Sequence, residues 1–66
     1  MKEITVLMST YNGEKYILEQ LKSLEKQKGV LINLFIRDDG STDNTVNIIK
    51  EYKTDKIKIK LICGEN

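Results

Sequence analysis

Apolar residues form two short, nearly continuous runs, Ile4 to Met8 and Val30 to Ile36. Their length and their content of aliphatic and β-branched side chains predict strands over about residues 4–8 and 30–37. Continuous apolar runs are typical of parallel strands whose two faces are both covered. We therefore expect the first strand to be buried on both faces and the second to be a central strand.

Apolar residues recur at helical spacing in two further segments, which predict helices over about residues 14–28 and 43–53. The residues that form these two stripes are Ile17, Leu21, Leu24, Val46, Ile49 and Tyr52. Asn12 is the expected N-cap of the first helix, and Ser41 or Thr42 that of the second.

A third strand is predicted over residues 57–63, where apolar and polar residues alternate at the start. The alternation places Lys58 and Lys60 on one exposed face, as in an edge strand protected by charge. Cys63 and Tyr16 are expected to pack in the core. Strand, helix, strand, helix, strand at these spacings predicts an α/β fold, a βαβαβ unit with a parallel three-stranded sheet in the order 3-2-1.

Polar turns follow the first two predicted strands at equivalent places. Ser9 to Glu14 follows the first strand, and Arg37 to Thr45 follows the second. The carboxyl ends of neighbouring parallel strands lie on one rim of the sheet, which is where open α/β sheets bind ligands. We therefore expect the two turns to form one crevice.

Two adjacent carboxylates, Asp38 and Asp39, begin the second turn. A carboxylate there can accept a hydrogen bond from the imide N–H of a uracil ring, or help to hold a divalent cation. Gly40 allows the backbone to turn tightly. The alternative is that the pair only caps and starts the turn, which is a common use of aspartate.

Hydroxyl groups and one aromatic ring characterise the first turn, in Ser9, Thr10 and Tyr11. The aromatic ring can stack on a base or a sugar, and the hydroxyl groups can form hydrogen bonds with a ribose. The alternative is a helix cap followed by a core tyrosine.

Composition excludes several classes of function. The chain has 66 residues, a formal net charge of +1, one cysteine and no histidine. The charge does not mark it as a nucleic-acid or membrane binder, and a Ser-His-Asp or Cys-His arrangement is impossible. Neither glycine-rich phosphate motif, G-x-G-x-x-G or G-x-x-x-x-G-K-[ST], occurs. The sequence shows no signal-like or membrane-spanning apolar stretch, so a cytoplasmic location is expected.

Two blocks of sequence, at their observed spacing, resemble the beginning of the family 2 inverting glycosyltransferases. The blocks are VLMSTYNGE from Val6 to Glu14 and IRDDGSTDNT from Ile36 to Thr45, with Tyr16-Ile17, Leu21, Ser23-Leu24 and Gln27 between them. The Tyr-Asn-Gly-Glu variant is most similar to bacterial enzymes that build surface polysaccharides, including rhamnosyl-transferring ones. The resemblance implies the N-terminal portion of a GT-A Rossmann-like domain over residues 1–66.

The resemblance also implies roles for individual residues in binding the nucleotide of an activated sugar. The positions that match nucleotide-contacting ones are Ser9, Thr10, Tyr11, Glu14, Asp38 and Asp39. Among these, Asp39 matches the residue that usually meets the base, and Tyr11 is ranked beside it. The donor is expected to be a UDP- or dTDP-sugar.

The remaining functional parts of this family are expected beyond Asn66. They are the metal-binding D-x-D motif, which implies Mg²⁺ or Mn²⁺ in the complete enzyme, and the catalytic base that deprotonates the acceptor hydroxyl. No carboxylate of this chain is assigned either role, and the chain alone is expected not to catalyse sugar transfer.

For the complete enzyme, the expected acceptor is a glycan or lipid-linked glycan and the expected location is the cytoplasm, at the inner face of the membrane. A homo-oligomer is left open. The alternative from another class is a non-catalytic regulatory or interaction module, such as a receiver-like domain with an acidic pair that binds Mg²⁺. That class needs an aspartate at the end of the third strand, where the sequence is Ile62-Cys63-Gly64.

Overall fold

The computed structural model describes residues 2–64 and contains five elements in the predicted order. They are β1 (Lys2–Thr10), α1 (Ile17–Glu25), β2 (Val30–Asp38), α2 (Thr45–Glu51) and β3 (Ile57–Cys63). Both neighbouring strand pairs are parallel and the order is β1-β2-β3, which is the predicted 3-2-1 topology read from the other edge. The α/β class and the sheet order are therefore confirmed.

The helices pack against one face of the sheet. The buried core consists of Ile17 and Leu21 from α1, Ile49 from α2, and Ile32, Leu34, Ile36 and Ile57 from the sheet. Right-handed crossovers that advance in one direction across a sheet put both helices on the same side, and this topology does so. The predicted helical stripes therefore face a single core.

The opposite face of the sheet is open. Leu7 of β1 is 80% exposed, and Phe35 and Ile62 on the same face are 39% and 52% exposed. The expectation that the first strand is buried on both faces is therefore wrong, because β1 alternates between half-buried and exposed residues. The apolar run predicts a strand, but it does not show which faces of the sheet the helices cover. Here both helices cover the same face.

Helix α1 is shorter than predicted at both ends. The N–H groups of Tyr16 and Ile17 both donate to the carbonyl of Gly13, at 2.9 and 2.8 Å, so residues 14–16 form a turn that leads into the helix. Asn12 does not cap α1, since its side-chain oxygen accepts the Thr42 N–H at 2.8 Å. Its φ of 48° reverses the chain before the turn.

Helix α2 begins two residues later than predicted. Asp43 Oδ1 accepts the N–H of Thr45 at 2.9 Å, so Asp43, rather than Ser41 or Thr42, satisfies the start of this helix. Ser41 instead bonds the side chain of Asp38, and Thr42 bonds Asn12. The predicted caps are therefore replaced because their side chains serve contacts to other segments.

Two predicted core residues lie at the surface. Cys63 is exposed at the end of β3, which is an edge strand of the described sheet. Tyr16 is 64% exposed because it stands in the turn before α1, outside the stripe formed by Ile17 and Leu21. Tyr52 is half-buried and its hydroxyl donates to the Glu25 carboxylate, which joins α2 to α1. Among residues 2–64, the structure contains no helix long and apolar enough to cross a membrane.

Candidate functional site

The loops that follow β1 and β2 lie side by side at the carboxyl ends of the strands. Thr10 and Asp38 are partners in the strand register, and the N–H of Asp39 donates to the carbonyl of Thr10 at 2.9 Å. Gly64, after β3, donates its N–H to the Asp38 carbonyl at 2.7 Å. The two polar turns therefore share one rim of the sheet, as the sequence predicts.

Asp38 is buried and its carboxylate is fully engaged by protein groups. The side chain is 2% exposed. Its Oδ1 accepts the hydroxyls of Thr10 at 2.8 Å and Ser41 at 2.5 Å, and its Oδ2 accepts the Ser41 N–H at 2.9 Å. Gly40, at φ 82°, bends the chain so that Ser41 reaches back to the carboxylate. Asp38 thus joins β1 to the second loop.

Burial alone would raise the pKa of Asp38, because a buried carboxylate loses hydration. The hydrogen bonds from Ser41 and Thr10 outweigh this effect and lower the pKa below its ordinary value. The anion is therefore the stable form in the folded protein at neutral pH.

Asp39 differs from its neighbour in both exposure and partner. Its side chain is 41% exposed, and its Oδ1 lies 2.9 Å from Nε of Arg37, whose side chain is 68% exposed. A Cβ on Gly64 would lie 3.8 Å from the same oxygen, so the backbone after β3 passes close to the carboxylate. Asp39 therefore presents a partly exposed carboxylate at the rim, paired with Arg37.

The β1–α1 loop is held by side chains of the β2–α2 loop. Three consecutive N–H groups, those of Asn12, Gly13 and Glu14, donate to Ser41 Oγ at 2.8 Å, Thr45 Oγ1 at 2.8 Å and Asp43 Oδ2 at 3.2 Å. In the opposite direction, the side-chain oxygen of Asn12 accepts a hydrogen bond from the Thr42 N–H. The two loops thus form one hydrogen-bonded unit.

Asp43 serves both loops with its two oxygens. The hydroxyl of Thr45 is the main cause that lowers its pKa, and the N–H groups of Thr45 and Glu14 act in the same direction. The carboxylate form is the one that accepts all of these bonds. The charge of Asp43 therefore belongs to the link between the loops.

The residues predicted to contact nucleotide divide into two groups. Ser9, Tyr11 and Glu14 are exposed, and Tyr11 is 55% exposed beside the strand end that bonds Asp39. Thr10 is 8% exposed and bonds Asp38, so these two side chains face each other inside the protein. The structure therefore brings all the predicted residues to one rim, but it exposes only part of them.

Ser41, Asp43 and Thr45 are the site residues that sequence reasoning missed, because it treated this segment as a helix cap. A signal was present: all five positions from Ser41 to Thr45 carry oxygen-bearing side chains. That is more acceptors than the start of one short helix can use. The excess indicates partners elsewhere in the chain.

A groove of about 570 Å³ lies between β1 and helix α1. Its lining includes Met8, Tyr16 and Leu24, and none of the predicted nucleotide-contacting residues. Its size alone does not make it the site, because it lacks convergent charged groups at the strand ends.

No group of three carboxylate or thiol side chains suited to a metal ion occurs within residues 2–64. The oxygens of Asp38 are occupied by hydroxyl and N–H donors, and Asp39 is paired with Arg37. Asp38 and Asp39 therefore do not fit a divalent cation.

Comparison with known proteins identifies the family. The family model described as Glycosyl transferase family 2 matches residues 5–66. The chain is 61% identical over 46 residues to the dTDP-rhamnosyl transferase RfbG of Shigella flexneri, a match that covers 70% of this chain and 16% of that protein. It is 40% identical over 63 residues to the poly(ribitol-phosphate) beta-N-acetylglucosaminyltransferase TarS of Staphylococcus aureus, covering 92% of this chain and 11% of TarS.

The fold is also similar to a solved structure. The crystal structure of residues 1–349 of S. aureus TarS superimposes with a TM-score of 0.79 at 40% identity, covering 96% of this chain and 19% of that one. The three parallel strands and two helices match the N-terminal part of its GT-A domain. The chain thus spans well under a quarter of the length of these relatives, and across that span it belongs to the family 2 glycosyltransferases.

Proposed function

We propose that this chain forms the donor-nucleotide-binding part of an inverting glycosyltransferase. The complete enzyme would transfer a sugar from a nucleotide diphosphate-sugar to an acceptor hydroxyl in bacterial surface-polysaccharide synthesis. The observation that carries the proposal is that exposed Tyr11 and partly exposed Asp39 both lie at the adjacent carboxyl ends of β1 and β2. This is the part of an open α/β sheet that receives ligands.

The base is the part of the donor that we assign to Asp39. An ionised carboxylate accepts but cannot donate hydrogen bonds, so it favours a ring with an imide N–H. Uracil and thymine both carry that N–H, whereas cytosine has a lone pair on the corresponding ring nitrogen. Asp39 would therefore select UDP and dTDP over CDP.

Tyr11 supplies the complementary contact. An exposed aromatic ring at the rim can stack on a base or a ribose, and its hydroxyl can hydrogen-bond the sugar. Ser9, which is opposite Arg37 in the strand register, and Glu14 in the following loop offer further polar contacts. We assign Thr10 and Asp38 to holding the rim together, because both are buried.

The names of the relatives support a sugar-transferring enzyme, and one of these names gives a dTDP-linked donor. One of them is named a dTDP-rhamnosyl transferase and another a beta-N-acetylglucosaminyltransferase. For the complete enzyme we propose a glycan or lipid-linked glycan acceptor, a cytoplasmic location at the inner membrane face, and Mg²⁺ or Mn²⁺ held by residues outside this set. The metal would neutralise the leaving diphosphate.

The experiment is a calorimetric titration of the chain with UDP, dTDP and CDP. We expect binding of UDP and dTDP and much weaker binding of CDP. The substitution Asp39→Ala should weaken UDP binding by about 1–3 kcal/mol, because it removes a charge-assisted hydrogen bond.

Asp55→Ala is the matched control, since it removes the same charge from the exposed connection between α2 and β3. It should bind UDP like the unsubstituted chain. Equal affinities of the Asp39 variant and the parent, or equal binding of UDP and CDP, would contradict the assignment. A folded parent chain that binds none of the three nucleotides would refute the proposed function.

A further inference from the structure

Thr45 is a polar residue at the rim that no ligand can reach. Its side chain is 0% exposed at the first position of α2. Its Oγ1 accepts the N–H of Gly13 at 2.8 Å and donates its own proton to Oδ1 of Asp43. The hydroxyl therefore links the two loops through a chain of two hydrogen bonds.

This link lies at the centre of the contact between the loops. Gly13 stands between Asn12 and Glu14, whose N–H groups are bonded to Ser41 and Asp43 in exposed positions. The bond from Gly13 to Thr45 is the more buried one. Water competes less at a buried bond, so Thr45 contributes the best protected contact.

The loop held in this way directs Tyr11. The Tyr11 side chain is exposed, and Asn12 immediately after it adopts a φ of 48°. A non-glycine residue in that region persists only where its surroundings hold it. The hydrogen bonds at Asn12 and Gly13 therefore hold the backbone that directly follows Tyr11.

We propose that Thr45 is a positioning residue of the nucleotide site, whose hydroxyl holds the Gly13 N–H and thereby fixes Tyr11 opposite Asp39. The inference rests on the proposed function, because it concerns the same nucleotide. It goes further in assigning a role to a buried residue that touches no ligand.

Two substitutions separate this role from simple packing. Thr45→Val keeps the volume and the β-branch but removes the hydroxyl, whereas Thr45→Ser keeps the hydroxyl and removes a methyl group. If Thr45 only filled space, valine would be the better replacement. If it positions the loop, serine would be the better one.

Calorimetric titration with UDP should show about tenfold weaker binding for Thr45→Val and binding within about twofold of the parent for Thr45→Ser, given the worth of one hydrogen bond. In amide hydrogen-exchange spectra, Gly13 should exchange faster in the valine variant and retain its protection in the serine variant. Parent-like affinity in Thr45→Val, or equal losses in both variants, would overturn the proposal.

A second variant keeps the test open if Thr45→Val does not fold. Asp43→Asn preserves shape and one acceptor but places an NH₂ group where an oxygen now accepts an N–H. It should weaken UDP binding, while Asp55→Asn, with the same charge change, should not. Parent-like binding by Asp43→Asn would contradict the proposal.

The failure of the proposed function would look different from the failure of this inference. If the folded parent binds no nucleotide, the function fails, and Gly13 exchange still reports whether Thr45 holds the loop. If the parent binds UDP and the valine variant binds it equally well, only the inference fails.

Discussion

At the residue scale, the adjacent carboxylates of Asp38 and Asp39 lie in different environments, one buried and one partly exposed. Asp38 is 2% exposed and accepts three hydrogen bonds from Thr10 and Ser41. Asp39 is 41% exposed and forms an ion pair with Arg37. Successive residues at the end of a strand point to opposite sides, so one carboxylate enters the protein and the other faces solvent.

The environment of Asp38 predicts a loss of stability in acid. Its pKa is lower in the folded protein than its ordinary value of 3.8, so the unfolded chain takes up a proton first as the pH falls. The free energy of unfolding should therefore be constant above about pH 5 and decrease as the pH falls through and below about 4. Urea denaturation from neutral to acid pH measures this.

Asp38→Asn is the informative variant for that measurement. It should be less stable at neutral pH and should show a smaller decrease in acid, because one of the two carboxylates with a lowered pKa, Asp38 rather than Asp43, has been removed. Asp55→Asn, at an exposed position, should keep the acid dependence of the parent. A slope that is unchanged in Asp38→Asn would contradict the role assigned to this carboxylate.

At the element scale, α1 and α2 are joined by the hydrogen bond from the Tyr52 hydroxyl to the Glu25 carboxylate. Burial and this carboxylate together raise the pKa of Tyr52 to about 12. The bond connects the last turn of α1 to the residue that ends α2. It therefore fixes how the two helices lie against each other on the sheet.

The raised pKa of Tyr52 predicts a loss of stability in alkali. The unfolded chain releases the phenol proton near its ordinary value of 10.0, and the folded chain releases it only near 12. The contribution of the bond is complete below about pH 10 and is lost as the pH rises from about 10 to 12. Tyr52→Phe should lack this contribution at all pH values, at a cost of about 0.5–1.5 kcal/mol near neutrality.

Tyr16→Phe provides the matched control, since Tyr16 is 64% exposed. Denaturation curves of the parent and both variants between neutral pH and about 12 make the comparison. The difference between the parent and Tyr52→Phe should vanish with rising pH, and Tyr16→Phe should follow the parent. A constant difference for Tyr52→Phe would show that the phenol proton is not involved.

At the scale of the whole molecule, the sheet has one covered face and one open face. Leu34 on the covered face is 0% exposed, whereas Leu7 on the open face is 80% exposed next to Phe35, its partner in the register. The stabilising burial of this unit therefore comes from the face that contacts the helices.

One pair of identical substitutions tests that asymmetry. Leu34→Ala should cost about 2–5 kcal/mol in the free energy of unfolding, because it removes buried methyl groups and leaves a cavity. Leu7→Ala should change it by no more than about 0.5 kcal/mol, as for other exposed positions. Comparable losses in urea denaturation would show that the open face is covered in solution.

The sequence by itself determined the order of the elements, the parallel 3-2-1 topology and the end of the sheet that carries both Tyr11 and Asp39. These features follow from periodicity, strand length and crossover handedness, which are properties of neighbouring residues and of the chain's connectivity. The start of α2 was misplaced because its local signals, Ser41 and Thr42, are used elsewhere.

Only the tertiary structure decided which aspartate is buried, which face of β1 is open and what Thr45 contacts. The bonds from Thr10 to Asp38, Asn12 to Ser41 and Gly13 to Thr45 join residues that are 28, 29 and 32 positions apart. A local pattern can show that such side chains need hydrogen-bond partners. Which residues become the partners depends on the packing of the parallel strands, which brings distant loops together. That is the physical reason why the rim on which the two loops meet was predictable and the bonding between them was not.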